Sequence, residues 1–371
     1  MAEPLKNLIG PHTARDTADA VARAWPTFDQ TTFLADILPV IDGLELMQRG
    51  QCIADALRRH LPDDFEMAAK ILHACLPAPD HHGLSGWALL SFNQYVAVHG
   101  RGRLETALHL LKALTPHFTA EFGIRPFLAE EQDAALTIVS PWVSDPNHHV
   151  RRLASEGTRP RLPWAMRLPA LVKEPRPILP ILEALLDDPE DYVRRSVANS
   201  LNDIAKDHPD LVADFVERHA VGASKERLWL LKHASRTLIK KGHGKALANF
   251  GFAALTDVTA TVSLSNDSIP FPGELTFDIR LTNTGEETRT VLVDYAIHHQ
   301  KKDGSLSPKV FKGKSMTMKP GDSVTIARRH AFRPITTRVY HPGRHRLEVM
   351  LNGEQAAICD FDLHMPQDGK G

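Results

Sequence analysis

The stretch DPNHHVRRLASEGTRPRLPW, residues 145–164, decides the fold of this 371-residue chain. Its opening pattern, DP-x-x-x-VRR, returns at Asp188–Arg195 as DPEDYVRR. Val150 and Val193, Arg151 and Arg194, and Arg152 and Arg195 therefore stand 43 residues apart. A turn with one helix before it and another after it, repeated at that period, predicts a mainly α fold. The expected form is a HEAT-like α-solenoid, a curved array of antiparallel helix pairs. Between the two copies, TRPRLPW (Thr158–Trp164) departs from the repeat with two arginines, two prolines and a tryptophan. The repeat supplies the scaffold, and the irregular insertion is the first place to look for chemistry.

Outward from this stretch, residues 1–255 read as helices. Apolar residues recur at three- and four-residue steps over Asp16–Ala24, Asp29–Leu38, Gly43–His60, Asp64–Leu76, Ser85–His99 and Leu104–Leu114. Pro26, Pro39, Pro62 and Pro77 fall between these segments, where a chain leaves a helix without breaking one. Three pairs follow: Glu130–Val143 with Asn147–Glu156, Pro177–Asp187 with Glu190–Lys206, and Asp210–Ala220 with Lys225–Lys241.

At Thr256 the period changes from that of a helix to alternation. DVTATVSL, ELTFDIRLTN, TRTVLVDYAIHH, SVTIARRHAF, RHRLEVML and QAAICDFDL are β-branched and alternating, and three Pro-Gly pairs punctuate them. Asn352-Gly353 is a two-residue hairpin signal. About seven short strands in about a hundred residues predict an immunoglobulin-like β-sandwich. The domains are thus read as 1–255, helical repeats, and 256–371, the sandwich.

Composition excludes several classes. Hydrophobic content of 43% and charged content of 24% are those of a water-soluble globular chain. No apolar run reaches membrane-spanning length, and the first twenty residues lack a signal-peptide core. Three scattered cysteines, Cys52, Cys75 and Cys359, form no metal-binding or disulfide framework. A cytoplasmic protein is expected. The net charge of -1 hides a partition. Residues 1–144 hold 11 basic and 17 acidic side chains, and residues 145–245 hold 18 and 14. Residues 300–350 hold twelve basic and three acidic. Two basic regions beside an acidic one direct a polyanion to particular faces.

The second helix of each pair in a solenoid commonly lines the concave face. His148, Arg152 and Glu156 share one side of their helix, as do Arg195, Asn199 and Asp203 of theirs. Trp229, Lys232, His233, Arg236 and Lys240 follow at steps of three and four. Basic, amide and aromatic groups in such a stripe suit a phosphate backbone and its bases. Arginine beside a DP turn also serves as a structural ion-pair partner, and that is the reading for Arg151 and Arg194. For Arg152, Arg195 and Arg236 spacing leaves both roles open, and Trp229 is likewise divided. Trp164 lies outside any apolar periodicity and is read as a contact residue, whereas Trp87 and Trp142 are read as packing. Glu121 in AEFGIRPFL, Glu156 before Gly157, and Asp203 are the acids that matter. An acid is a poor phosphate ligand, so three of them converging on a cationic wall would need a positive charge on the substrate to explain them.

Other chemistries lack support. There is no HExxH, and Pro342-Gly343 between His341 and His345 rules out a helical zinc pair. Gly313-Lys314-Ser315 imitates a phosphate loop, but Pro308 stands where its first glycine is needed. Neither GxSxG nor GxGxxG occurs. No metal and no cofactor are expected.

AEFGIRPFL, WVSDPNHHVRRLASEGTRPRLPW and RLWLLKHASRTLIKKGH together resemble the HEAT-like DNA glycosylases that repair alkylated bases. With the appended sandwich the whole chain resembles their AlkC type, related to AlkD, which lacks the β-domain. The resemblance implies base excision repair; the enzyme is expected in the cytoplasm, nucleoid-associated, with monomeric action as the default and no cofactor. Cationic bases such as 3-methylcytosine and 3-methyladenine would be hydrolysed from duplex DNA without a deep base-flipping pocket. It implies Trp164 against the lesion's deoxyribose and Glu121, Glu156 and Asp203 facing that sugar. Arg152, Arg159, Arg161, Arg195, Asn199, Trp229, Lys232, His233 and Arg236 would contact DNA. The basic loops Lys301–Lys319 and Arg328–Arg346 either grip DNA or are solvated loops. The rival readings are a HEAT scaffold for a protein partner and a DNA-binding protein without catalysis.

Overall fold

The computed structural model describes residues 4–79, 81–336 and 338–366. Contacts within the chain gather it into two compact units. One comprises Met1–Asp207 with Lys225–Leu230, the other His208–Ser224 with Leu231–Gly371. Helix gives way to strand between Ala248 and Val258, yet the last helices cluster with the strands rather than with the preceding repeats.

In the first unit the repeat is realised in detail. Helices His148–Glu156 and Asp191–Ile204 pack against each other, joined by a Ser155–Ser196 hydrogen bond, and bury Val150, Leu153, Val193, Val197 and Leu201. In each DP turn the aspartate Oδ1 accepts a hydrogen bond from the backbone two residues on, Asp145 from Asn147 and Asp188 from Glu190, both at 2.9 Å. Such an Asx turn leaves the chain poised to enter the next helix. Arg151 Nη1 donates to the carbonyls of Asp145 and Pro146, and Arg194 Nη1 to those of Asp188 and Pro189. Arg151 also forks onto both oxygens of Asp188, locking one repeat to the turn of the next. Both arginines are structural, as their place in the motif predicts. Trp142 is buried, and Trp87 lies against Phe118 at 5.1 Å.

The second unit holds helices Pro209–Ala220, Arg236–Lys240 and Gly244–Ala248 and a two-sheet sandwich. Its strands are β1 (Val258–Leu264), β2 (Ser268–Pro270), β3 (Gly273–Asn283), β4 (Arg289–Gln300), β5 (Leu306–Met318), β6 (Ser323–Phe332), β7 (Gly343–Leu351) and β8 (Glu354–His364). One sheet runs β1-β3-β6 and the other β2-β8-β7-β4-β5. Alternate residues such as Leu275, Phe277, Ile279 and Leu281 face a shared core with Val291, Ile297, Leu347 and Val349. Asn352 and Gly353, both at positive φ, make the tight hairpin joining β7 to β8.

Two expectations are corrected here. The stretch 301–319 is not a loop, because β5 occupies most of it, and β6 and β7 occupy much of 328–346. Among the described residues the sandwich therefore has eight strands. Pro308 and the lysines of β5 disguise it, yet both are at home there, since β5 is a sheet edge and needs only one side of its ladder. Gly313 marks the place where β4 and β5 lose register between Val293 and Tyr295. A Cβ there would lie 1.8 Å from the Val293 carbonyl oxygen. The helix expected over Lys225–Lys241 is interrupted at Ser235, giving Lys225–Ala234 and Arg236–Lys240.

Candidate active site

Three elements of the first unit bring the acids together. Glu121 lies in the bend before helix Arg125–Glu130, Glu156 ends helix His148–Glu156, and Asp203 is one residue from the end of Asp191–Ile204. The bend at Glu121 depends on Gly123, where a Cβ would sit 2.6 Å from Leu111 and 2.9 Å from Asn93 Oδ1. Gly157 does the same after Glu156, its missing Cβ leaving room for Ile124.

Two arginines join the acids into one chain of ion pairs. Arg152 Nη1 donates to Glu121 Oε2 at 2.7 Å and to Thr119 Oγ1 at 3.2 Å, and Thr119 donates in turn to Glu121 Oε2. Arg152 Nη2 lies 3.5 Å from Glu156 Oε1. Arg159 donates from Nη1 to Glu156 Oε1 at 2.6 Å and from Nε to Asp203 Oδ2 at 2.8 Å. Lys206 donates to the other Asp203 oxygen, Oδ1, at 2.8 Å. Asp203 therefore has both oxygens occupied. Glu121 takes its contacts on Oε2 and Glu156 on Oε1, so each keeps one oxygen unbonded among the described residues.

Burial raises the stakes of this network. The side chains of Glu156, Arg159 and Asp203 are 7%, 7% and 3% exposed. Burial works against the charge of Arg152 and Arg159. The carboxylates outweigh it, Glu156 and Glu121 for Arg152 and Glu156 and Asp203 for Arg159, and hold both guanidiniums above their ordinary pKa. Arg152 also lies over the Tyr192 ring, 4.7 Å from its centroid, and His148 and His149 meet the same ring edge-on.

The insertion Gly157–Leu168 folds back as a loop from which Trp164 projects, 98% exposed and at φ 62°. The indole thus lies outside the core, on a backbone conformation that L-residues rarely adopt. The loop is anchored by Arg125, whose side chain is fully buried. Its Nε donates to the Met166 carbonyl at 2.7 Å, and its Nη1 to those of Gly157 and Arg159, both at 2.9 Å. Neither Arg125 nor Tyr192 stands out from periodicity. An arginine between Ile124 and Phe127, in a segment broken by Gly123 and Pro126, is the sequence signal for the former.

Arg152 and Arg159, expected to grip phosphates, sit within the chain of ion pairs. Both are largely buried, and their donors are committed to the acids. Arg161 forks onto Asp207 and stays partly exposed. Arg195 is 61% exposed in its side chain, pairs with Asp191 and stacks on Trp229 at 5.2 Å. Arg195 and Trp229, with Asp191, Arg194, Lys225 and Glu226, line an open cleft of about 390 Å³. Asn199 is half-buried on the same helix. Lys232, His233 and Arg236 belong to the second unit, where Lys232 and Arg236 are exposed and Arg236 bonds the His233 carbonyl. Among the described residues no group of three or more His, Cys, Asp or Glu is placed to hold a metal ion. No helix among them is long and apolar enough to cross a membrane.

The carboxylates threaded on arginines lie within a part of the chain that matches a family of known proteins. Residues 117–238 match the DNA alkylation repair enzyme family, and residues 258–365 match the C-terminal Ig-like domain of uncharacterised protein YhaZ. The chain belongs to the DNA alkylation repair enzyme family and is a DNA glycosylase. Among its relatives, YhaZ of Bacillus subtilis (strain 168) is 35% identical over 362 residues, covering 97% of this chain and 99% of that one. The alkylpurine DNA glycosylase AlkC of Pseudomonas fluorescens was solved bound to DNA containing an abasic site analog. It superposes with a TM-score of 0.82 at 34% identity, over 98% of this chain and 100% of that one.

Proposed function

We propose that this enzyme hydrolyses the N-glycosidic bond of cationic alkylated bases, 3-methyladenine and 3-methylcytosine, in duplex DNA. The observation that carries the reading is the linking of Glu121, Glu156 and Asp203, from three separate elements, through Arg152 and Arg159. The arginines fix the carboxylates in place, and the oxygens that Glu121 and Glu156 keep unbonded among the described residues offer negative acceptors to a cation. In this reaction the cation is the alkylated base at first and the sugar afterwards.

The C1′–N bond breaks with its electron pair going to the base. The base arrives positive and leaves neutral, so no general acid is needed. The sugar becomes oxocarbenium-like, water adds at C1′, and a carboxylate takes its proton. The free oxygens of Glu121 and Glu156 suit them to orient that water. Asp203, saturated by Arg159 and Lys206, acts as a fixed negative charge. A unit charge pair at about 4 Å in an effective dielectric of about 20 is worth about 4 kcal/mol, an upper bound here because the arginines offset part of it. If felt only in the transition state, it would accelerate the step by roughly a thousandfold. Trp164 would lie against the deoxyribose and exclude water from one face. A loop-borne indole needs no enclosed pocket for the base, and selection then rests on leaving-group charge.

Arg161, Arg195, Asn199 and Trp229, with Lys232, His233 and Arg236, are the DNA contacts of this reading. Residues 1–255 would carry the chemistry and 256–371 accessory binding, with lysines of β5 meeting phosphates. The test is excision from a duplex containing 3-methylcytosine, by the wild type and by Glu121→Gln, Glu156→Gln and Asp203→Asn. Base release by the wild type, slowed in the variants, is expected. Wild-type rates in all three would remove the carboxylate mechanism. Binding without any base release would leave a DNA-binding protein.

A further inference from the structure

The proposed chemistry leaves a fully buried charged side chain unused. Arg125 is the bulkiest of the fully buried side chains, inside a helix segment rather than in the ion-pair chain. Its three hydrogen bonds all go to backbone carbonyls of one loop, and they reach both ends of it: Gly157 and Arg159 where the loop leaves the helix, Met166 where it returns. The rigid guanidinium spreads its donors over separate nitrogens, so Nε and Nη1 reach opposite ends of the loop in one fixed plane. A lysine in the same place presents a single flexible ammonium. Its third nitrogen, Nη2, is buried with no partner among the described residues. Burial, and next the charge of Arg159, push its pKa down to about 10. Asp203, Glu121 and Glu156 pull the other way, so it stands within electrostatic reach of the whole site.

Between the stapled ends lie the two residues on which the site turns: Arg159, which joins Glu156 to Asp203, and Trp164. Close contact between the strap and the Glu121 segment is independently visible at Gly157, where a Cβ would come within 2.9 Å of Ile124 Cγ2, next door to Arg125.

We propose that Arg125 is a positioning residue for base excision, its guanidinium stapling the 157–168 loop so that Trp164 and Arg159 keep one geometry relative to Glu156 and Asp203. This rests on the glycosylase reading above. The staple fixes geometry without touching DNA, so its removal acts on the chemical step more than on binding. A displacement of about 1 Å at a reacting centre can cost about a hundredfold in rate.

The experiment uses full-length Arg125→Lys and Arg125→Ala beside Glu156→Gln, with 5-fluorotryptophan incorporated and its Trp164 signal assigned by loss in Trp164→Phe. Single-turnover release of 3-methylcytosine from a duplex is measured together with affinity for an undamaged duplex. Arg125→Lys is expected to lose about a hundredfold in rate, to keep its affinity for undamaged duplex, and to shift or broaden the Trp164 fluorine resonance. In Arg125→Ala, added guanidinium should restore rate and resonance, whereas methylammonium, a cation without the fork, should not. A wild-type rate and an unmoved resonance in Arg125→Lys would overturn the proposal. So would parallel loss of rate, affinity and helical circular dichroism in both variants without guanidinium rescue. If Glu156→Gln keeps the wild-type rate, the carboxylate reading fails by itself, and the fluorine resonance alone then decides whether Arg125 holds the loop.

Discussion

Arg152 and Arg195 occupy the same place in two copies of one repeat, 43 residues apart, and they live differently. Arg152 has a side chain 16% exposed, bound to Glu121, close to Glu156 and covered by Tyr192. Arg195 is 61% exposed, paired with Asp191 on its own helix and stacked on Trp229. The turns around them are nearly superposable in their bonding, down to the carbonyls that Arg151 and Arg194 cap. The difference begins where the first helix stops at Glu156 and the strap 157–168 folds back, while the second helix runs on to Ile204 and delivers Asp203 to its neighbour's site. A shared motif builds both walls, and a single insertion converts one of them from a surface into an interior with charges.

The comparison makes claims of decreasing size. Removing the bridge should cost most. In Arg159→Met the buried Glu156 and Asp203 lose their common partner, and the chain should be destabilised by about 3–5 kcal/mol in denaturant unfolding. Arg195→Met, on the exposed copy, should change stability by less than about 0.5 kcal/mol. Equal effects would erase the distinction between the repeats.

Next comes the acid against its counterpart. Glu156→Gln should slow excision of 3-methylcytosine by about a hundred- to a thousandfold, and Asn199→Ala should change the single-turnover rate by less than about threefold, as expected of a surface contact. Trp164→Ala should lower the rate by about tenfold, the scale of a desolvated cation–aromatic contact. Its melting temperature should stay put, because a side chain 98% exposed supports no packing. The smallest effect belongs to the cleft. Arg195→Ala should weaken duplex binding evenly across sequences and reduce the slope of log affinity against log salt by about one. An unchanged slope would remove Arg195 from the DNA contacts.

The two repeats also show where reading the chain stops. The helical layout, the passage to strands near 256 and the Asn352-Gly353 hairpin were all legible, because each rests on periodicity or turn chemistry within a few residues. The edge strand β5 was hidden by Pro308 and by its lysines, features that only its place at the rim of a sheet makes ordinary. The segments bearing Glu121, Glu156, Asp203 and Trp164 were also legible, as acids and an indole outside any apolar stripe. The work of the arginines was not. Basic side chains in a row read as a phosphate track, and nothing local distinguishes an arginine facing solvent from one facing a carboxylate.

By itself, then, the order of residues determined a solenoid, a sandwich and a short set of polar side chains at the ends of particular helices. Tertiary structure alone decided that Arg159 joins Glu156 to an aspartate 44 residues away, that Arg152 reaches back 31 residues to Glu121, and that Arg125 holds the strap at both ends. Helix and strand periods come from backbone geometry over one or two turns. A buried ion pair is settled by which partner lies within about 3 Å after the chain has packed, and that depends on the loops and glycines that let distant segments meet.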